Sequence, residues 1–134
     1  VIVDSSAILA VFFRERGYER IAELLATAPV LGIGAPTLAE LGIVLTARVG
    51  KDARLLLGSF LQESKMAVIP FGDEHWKSAL DAYARFGKGR HPAGLNFGDC
   101  MTYATASLAR QPLLCVGEDL PKTDLALEEH PRPA

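Results

Sequence analysis

Four positions in this chain place a carboxylate where reacting groups commonly sit. Asp4 ends the apolar run Val1-Ile2-Val3, and Glu40 and Asp99 each stand in the first turn of an expected helix. Asp119, with Glu118 beside it, follows the apolar run Leu113-Leu114-Cys115-Val116. Carboxylates gathered in one pocket repel one another and stay ionised only with positive charge among them. Nothing basic flanks Asp4, Glu40 or Asp99. The economical counter-charge is a hard divalent cation, Mg²⁺ or Mn²⁺, which takes oxygen ligands and keeps several waters. No histidine–cysteine set favours zinc. Acid clusters holding one or two such ions are common equipment for cutting phosphodiesters. Each acid also has a local role open to it. Asp4 suits a helix N-cap, and Glu40 suits the last position of a capping box Thr37-Leu38-Ala39-Glu40. Asp99, three residues after Asn96, suits the helix dipole, and Asp119 suits a solvated turn. Their joint placement carries the functional reading.

That placement depends on the elements around them. Residues 1–4 read as a short buried strand. Ser5 or Ser6 is expected to cap a helix over 7–13, and Gly17 separates it from a second helix over 18–28. Residues 30–35 suit a second strand, followed by a helix to about Val49 that Gly50 stops. Asp52 is expected to cap a helix over 53–64. A third strand spans 67–70, and Asp73 caps a helix to Phe86, ended by Gly87. Residues 87–94, "GKGRHPAG", form a basic loop rich in breakers. Asn96 opens a helix to about Ala109, a fourth strand spans 113–116, and 126–127 suit a short edge strand. "HPRPA" reads as a tail. The alternation predicts an α/β domain, with a short, mostly parallel sheet and helices on both faces. In such sheets chemistry sits beyond the carboxyl ends of the strands, where these acids would converge.

Bulk properties set the frame. The 134 residues suit one domain over 1–134. A composition 49% apolar and 22% charged predicts a folded globular chain. No apolar run approaches the ~20 residues of a membrane span, and no basic leader precedes the first apolar run. Cys100 and Cys115 lack metal or redox spacing and read as buried thiols in a reducing, cytoplasmic setting. The net charge of −2 gives no global attraction to nucleic acid, so any such site must be a local basic patch. Lys88, Arg90 and His91 form the clearest one. His75, Trp76, Tyr83, Phe86 and Tyr103 read as packing or partner-interface residues.

Four blocks carry a family resemblance: "VIVDSSAILA", "APTLAELGIVL", "FGKGRHPAGLNFGDCMTYATA" and "PLLCVGEDLPKTDL". In order, and over nearly the whole chain, they resemble the PIN-domain ribonucleases, specifically VapC-type toxins of toxin–antitoxin pairs. The resemblance implies a PIN-like fold and metal-binding acids at Asp4, Glu40 and Asp99. The fourth acid falls after the last strand, at Asp119, with Glu118 and then Asp124 as competitors; Gly117 stands where the family more commonly has an Asp. Ser6 matches a hydroxyl position near the site, and Asn96 a polar position that would orient Asp99 or a water. Lys88, Arg90 and His91 would contact RNA phosphates.

The implied activity is Mg²⁺- or Mn²⁺-dependent cleavage of structured cellular RNA, in loops of tRNA or rRNA, leaving 5′-phosphate and 3′-hydroxyl ends. The implied partners are a VapB-type antitoxin and a second copy of the chain, with DNA contacted only through the antitoxin. The apolar faces of the helices over 18–28 and 53–64 are candidates for antitoxin contact. Three other readings compete. A haloacid-dehalogenase-type phosphohydrolase needs a second Asp where Ser6 stands. A dinucleotide-binding module needs more than the single G-x-G of "GIGAPTLAELG". A catalytically idle, acid-lined binding domain would lack metal-dependent cleavage.

Overall fold

The computed structural model describes residues 1–129, so the tail read at 130–134 lies outside the described residues. Strands and helices alternate in the order β1 (Ile2–Val3), α1 (Ser5–Phe12), α2 (Tyr18–Thr27), β2 (Leu31–Gly34), α3 (Ala35–Val49), α4 (Arg54–Ser64), β3 (Met66–Ile69), α5 (Asp73–Phe86), α6 (Phe97–Ala109) and β4 (Leu113–Leu114). The strands form one parallel sheet in the order β3-β2-β1-β4, with Ile2 level with both Gly32 and Leu113. Leu127 adds a parallel bridge beside Leu113. Among the described residues, no helix is long and apolar enough to cross a membrane.

Period-two alternation splits the core between the two faces of the sheet. Val3, Leu31, Ile33 and Leu114 meet Ile8, Ile21, Leu41, Leu45 and Leu57 of α1–α4 on one face. Ile2 and Leu113 meet Phe86, Cys100, Tyr103 and Ala104 on the α5–α6 face. Gly32 and Gly34 stand between the inward-facing residues of β2. A methyl group on Gly34 would strike the Thr105 hydroxyl, so the glycine lets α6 lie close to the sheet. The apolar face of α2 is spent on this core, since Ile21, Leu24 and Leu25 are buried. On α4, by contrast, Leu55 and Leu56 remain exposed while Leu57 is buried.

Several helix starts differ from expectation. Asp4, not Ser5 or Ser6, is the N-cap of α1. The expected capping box at Thr37 and Glu40 does not form. Pro36, pre-set for a first helical turn, lets α3 open three residues earlier, with Gly34 as N-cap in place of Thr37. Glu40 therefore sits in the second turn, and the Thr37 hydroxyl pairs with Thr102 instead. Gly72, not Asp73, is the N-cap of α5, its backbone N–H donating to His75 Nδ1. Asp52 accepts from the Arg54 backbone N–H and guanidinium just ahead of α4. Strand β4 ends at Leu114, short of the expected 116, because the Val116 backbone N–H donates to the Ser6 hydroxyl rather than continuing the ladder.

Candidate active site

The order β3-β2-β1-β4 sends the first two crossovers to one side of β1 and the third to the other. The carboxyl ends of β1 and β4 thus flank the point where the winding reverses, the usual ligand crevice of an open parallel sheet. A cleft of about 270 Å³ opens there, lined by Asp4, Ser6, Glu40, Asn96, Asp99, Glu118 and Asp119 among others. Among the described residues its lining holds five carboxylates and no lysine, arginine or histidine.

The acids step from floor to rim. Asp4 is buried, Asp99 is half-buried, and Glu40 and Asp119 are exposed. Asp4 leaves β1 in extended conformation, its N–H donating to Leu114 O at 2.9 Å. Its Oδ2 accepts from the Ser6 N–H at 3.1 Å and the Ser6 hydroxyl at 2.6 Å, and its Oδ1 accepts from the Thr102 hydroxyl at 2.6 Å. The N-cap role and the place on the cleft floor belong to one side chain. A buried carboxylate needs such donors to stay charged. Because Ser6 also accepts from Val116, it ties the start of α1 to the exit of β4.

Asn96 and Asp99 form a reciprocal capping box at α6. Asp99 N–H donates to Asn96 Oδ1 at 2.9 Å and Asn96 N–H donates to Asp99 Oδ2 at 3.1 Å. Burial pushes the Asp99 carboxyl up to about 6. The hydrogen bond from Asn96 pulls the other way, and the charges of Asp4, Asp119 and Glu40 raise it further. The four acids, distant in sequence, line one cleft. Glu40 Oε1 accepts from the Ser5 hydroxyl at 3.0 Å, and its carboxylate lies across Gly98, where any side chain would collide with it.

The remaining candidates stand elsewhere. Asp124 is outside the cleft: it accepts from the Tyr103 hydroxyl at 2.6 Å and from Arg85 at 2.9 Å. Lys88, Arg90 and His91 are absent from the cleft lining. The His91 ring packs edge-on against Phe86 and its Nδ1 accepts from the Ala93 N–H, while the Arg90 guanidinium stacks 5.3 Å from the Tyr83 ring. Tyr103 and Phe86 are buried as expected, while Tyr83 and Trp76 are half-exposed and border an apolar hollow with Phe97. Ser5, Gly98, Thr37 and Thr102 had drawn no functional reading from sequence. Their contacts span 35 to 98 residues of chain, and no local pattern carries them.

Among the described residues, no three histidine, cysteine or carboxylate side chains stand close enough to ligate one ion together. The donor set is nonetheless all hard oxygen. Mg²⁺ is commonly held through one or two carboxylates with waters completing its shell, so a wide cleft of carboxylates fits a hydrated hard cation.

The sequence matches the PIN domain family over residues 1–125. It is 50% identical over 126 residues to Ribonuclease VapC36 of Mycobacterium tuberculosis, an alignment covering 93% of this chain and 91% of that protein. In fold it is similar to Mycobacterium tuberculosis VapC20, a sarcin-ricin loop cleaving toxin, with TM-score 0.78 and 17% identity over 97% of this chain and 98% of that one. It is also similar in fold to a chain of VapBC2 from Rickettsia felis, bound there to a DNA fragment from their promoter, with TM-score 0.68 and 19% identity over 95% and 96% of the two chains.

Proposed function

The chain belongs to the PIN-domain family, among its VapC-type ribonuclease toxins, and from that premise we propose that it is a Mg²⁺- or Mn²⁺-dependent endoribonuclease. The supporting observation is the cleft at the ends of β1 and β4, where Asp4, Glu40, Asp99 and Asp119 meet without a cation among the described residues. Asp4 and Asp99 would hold the ion, with Glu40 and Asp119 completing its outer ligation or holding a second, and Glu118 beside them. Bound there, the ion would supply Lewis acidity, lowering the pKa of water and offsetting charge on a phosphodiester.

The chain's own residues do the positioning. Ser6 and Thr102 fix both oxygens of Asp4, so that its carboxylate cannot swing. The Asn96 backbone N–H occupies Asp99 Oδ2, which would leave Oδ1 as the oxygen to take a ligand. In-line attack of water on phosphorus, with the 3′-oxygen leaving and taking up a proton, would give a 5′-phosphate and a 3′-hydroxyl. The loop with Lys88, Arg90 and His91 runs into Asn96 and would contact the RNA backbone outside the acid floor.

The substrate we assign is an unpaired loop of structured cellular RNA, tRNA or rRNA, whose splayed bases and phosphates a shallow cleft can reach. A VapB-type antitoxin would neutralise the toxin, contact DNA on its behalf, and cover apolar surface such as Leu55 and Leu56 of α4. A second copy of the chain would complete the pair, in the cytoplasm where such RNA is found.

The test is cleavage of total tRNA and rRNA in Mg²⁺, in Mn²⁺ and in EDTA, with Asp4→Ala beside wild type to exclude contaminating nuclease. Cleavage that needs both metal and Asp4 is the expected result. No cleavage in either metal, from a chain that melts cooperatively, would favour an idle acid-lined binding domain.

A further inference from the structure

Two buried threonines outside the acid set meet beneath it. Thr37 and Thr102 are 3% and 1% exposed, and their hydroxyl oxygens are 3.1 Å apart. Thr102 also reaches Asp4 Oδ1 at 2.6 Å. An ionised carboxylate only accepts, and a hydroxyl carries one proton. The Thr102 proton is therefore committed to Asp4, and Thr102 must accept from Thr37. The chain of donation runs one way, Thr37 to Thr102 to Asp4, and each bond polarises the next.

The sequence positions make this more than core satisfaction. Thr37 stands on α3 three residues before Glu40, and Thr102 stands on α6 three residues after Asp99. On a helix, residues three apart share a face. The pair joins α3 to α6 one turn from the acid that each helix carries, and its free end closes on the third acid. Three elements that hydrogen bonds of the sheet do not link directly are thereby fixed at a single point.

We propose that the Thr37–Thr102 hydroxyl pair is a positioning device that sets α3 against α6 and aims Asp4, so that Asp4 and its neighbours across the cleft present their oxygens to a hydrated divalent ion. The proposal rests on the metal-dependent reading above. Neither threonine touches substrate; both act through the acids.

The experiment is a calorimetric titration of Mn²⁺ into the full chain after EDTA stripping and dialysis, with melting in EDTA as the measure of folding. Thr102→Val keeps the shape and removes the hydroxyl; it should weaken Mn²⁺ binding about 10–100-fold, as loss of a group orienting a metal ligand does. Thr37→Val leaves the bond to Asp4 and loosens only the joint, so a smaller loss, about threefold to tenfold, is expected. Thr102→Ser restores the donor and should bind within about twofold of wild type. A Thr102→Val chain that melts cooperatively and binds Mn²⁺ as wild type does would overturn the proposal, leaving the pair as core packing. Should Thr102→Val fail to fold, Thr37→Val decides: unchanged affinity there overturns the proposal equally. A wild-type chain that binds no Mn²⁺ overturns the metal reading itself, and this inference with it.

Discussion

Two aspartates meet helix α6 one turn apart, in opposite surroundings. Asp99 lies in its first turn, among Asp4, Glu40 and Asp119 with no cation in the cleft lining, and its carboxyl is pushed up to about 6, chiefly by burial. Asp124 reaches Tyr103 on the next turn and is held below the ordinary carboxylate range, first by the Tyr103 hydroxyl and then by Arg85. The tyrosine in turn is raised to about 12, by burial first and by its bond to Asp124 second. One acid is satisfied by the protein and the other is not. An acid whose charge the fold has balanced serves structure. An acid kept among like charges is a candidate for binding something positive.

The widest separation between the two should appear in activity. Asp99→Asn keeps size and the capping acceptor but removes the charge. Metal-dependent RNA cleavage should fall by more than the ~100-fold that bounds loss of a merely orienting group. Asp124→Asn should stay within about threefold of wild type, its carboxylate having no part in metal binding. Initial rates on one RNA substrate in Mn²⁺ test both. Full activity in Asp99→Asn, or an inactive but folded Asp124→Asn, would reverse the comparison.

Stability should run the other way. Asp124→Ala leaves the buried Tyr103 hydroxyl without its acceptor, at a cost of ~1–2 kcal/mol and a melting temperature lower by roughly 3–6 °C. Asp99→Asn relieves repulsion. Because Asp99 is only half-buried, solvent screening reduces that gain to ~1 kcal/mol or less, seen as a small rise in melting temperature in EDTA at neutral pH. A fall for Asp99→Asn would show that its charge is balanced within the protein after all.

The pH dependence separates the two acids again. The folded-state value of Asp99 is raised, to about 6 from 3.8, so between those limits the folded chain keeps a proton that the unfolded chain has lost. Its contribution to stability is full below about pH 4 and is lost as pH rises through about 6. Asp124 is depressed, so its contribution is present above the unfolded value of 3.8 and is lost as pH falls through the lower folded value. Melting curves in EDTA from pH 3 to pH 8 should show the first trend vanish in Asp99→Asn and the second in Asp124→Asn. Metal binding requires the Asp99 proton to leave, so Mn²⁺ affinity should climb as pH rises through about 6.

The sheet and the convergence of the acids were legible because local signals carried them. Apolar runs ending at Asp4 and before Asp119 marked strand ends, and Gly17 and Gly50 marked breaks, both with left-handed backbone. What escaped depends on packing. The spacing Thr37-x-x-Glu40 fits a capping box, yet Pro36 opens the helix earlier and a threonine 65 residues away takes the hydroxyl. Nothing near Asp124 in sequence distinguishes it from Asp119, because its partners Arg85 and Tyr103 come from other helices. Of the two readings of Trp76, core or partner interface, its half-exposed position on α5 removes only the first.

Gly98 gives the finest test of whether a group in the cleft serves chemistry or fold. It sits in the first turn of α6, and a methyl group there would run into the Glu40 carboxylate, the mobile end of an exposed side chain. Alanine suits a helix better than glycine by up to ~1 kcal/mol. Gly98→Ala should therefore keep or raise the melting temperature while pushing Glu40 away from Ser5 and the cleft. If Glu40 completes the metal shell from the rim, cleavage should drop by about threefold to tenfold, less than for loss of Asp99, with more Mn²⁺ needed for half-maximal rate. Unchanged metal dependence alongside unchanged stability would assign Glu40 to the Ser5 contact alone, and would leave Asp4, Asp99 and the acids after β4 as the working set.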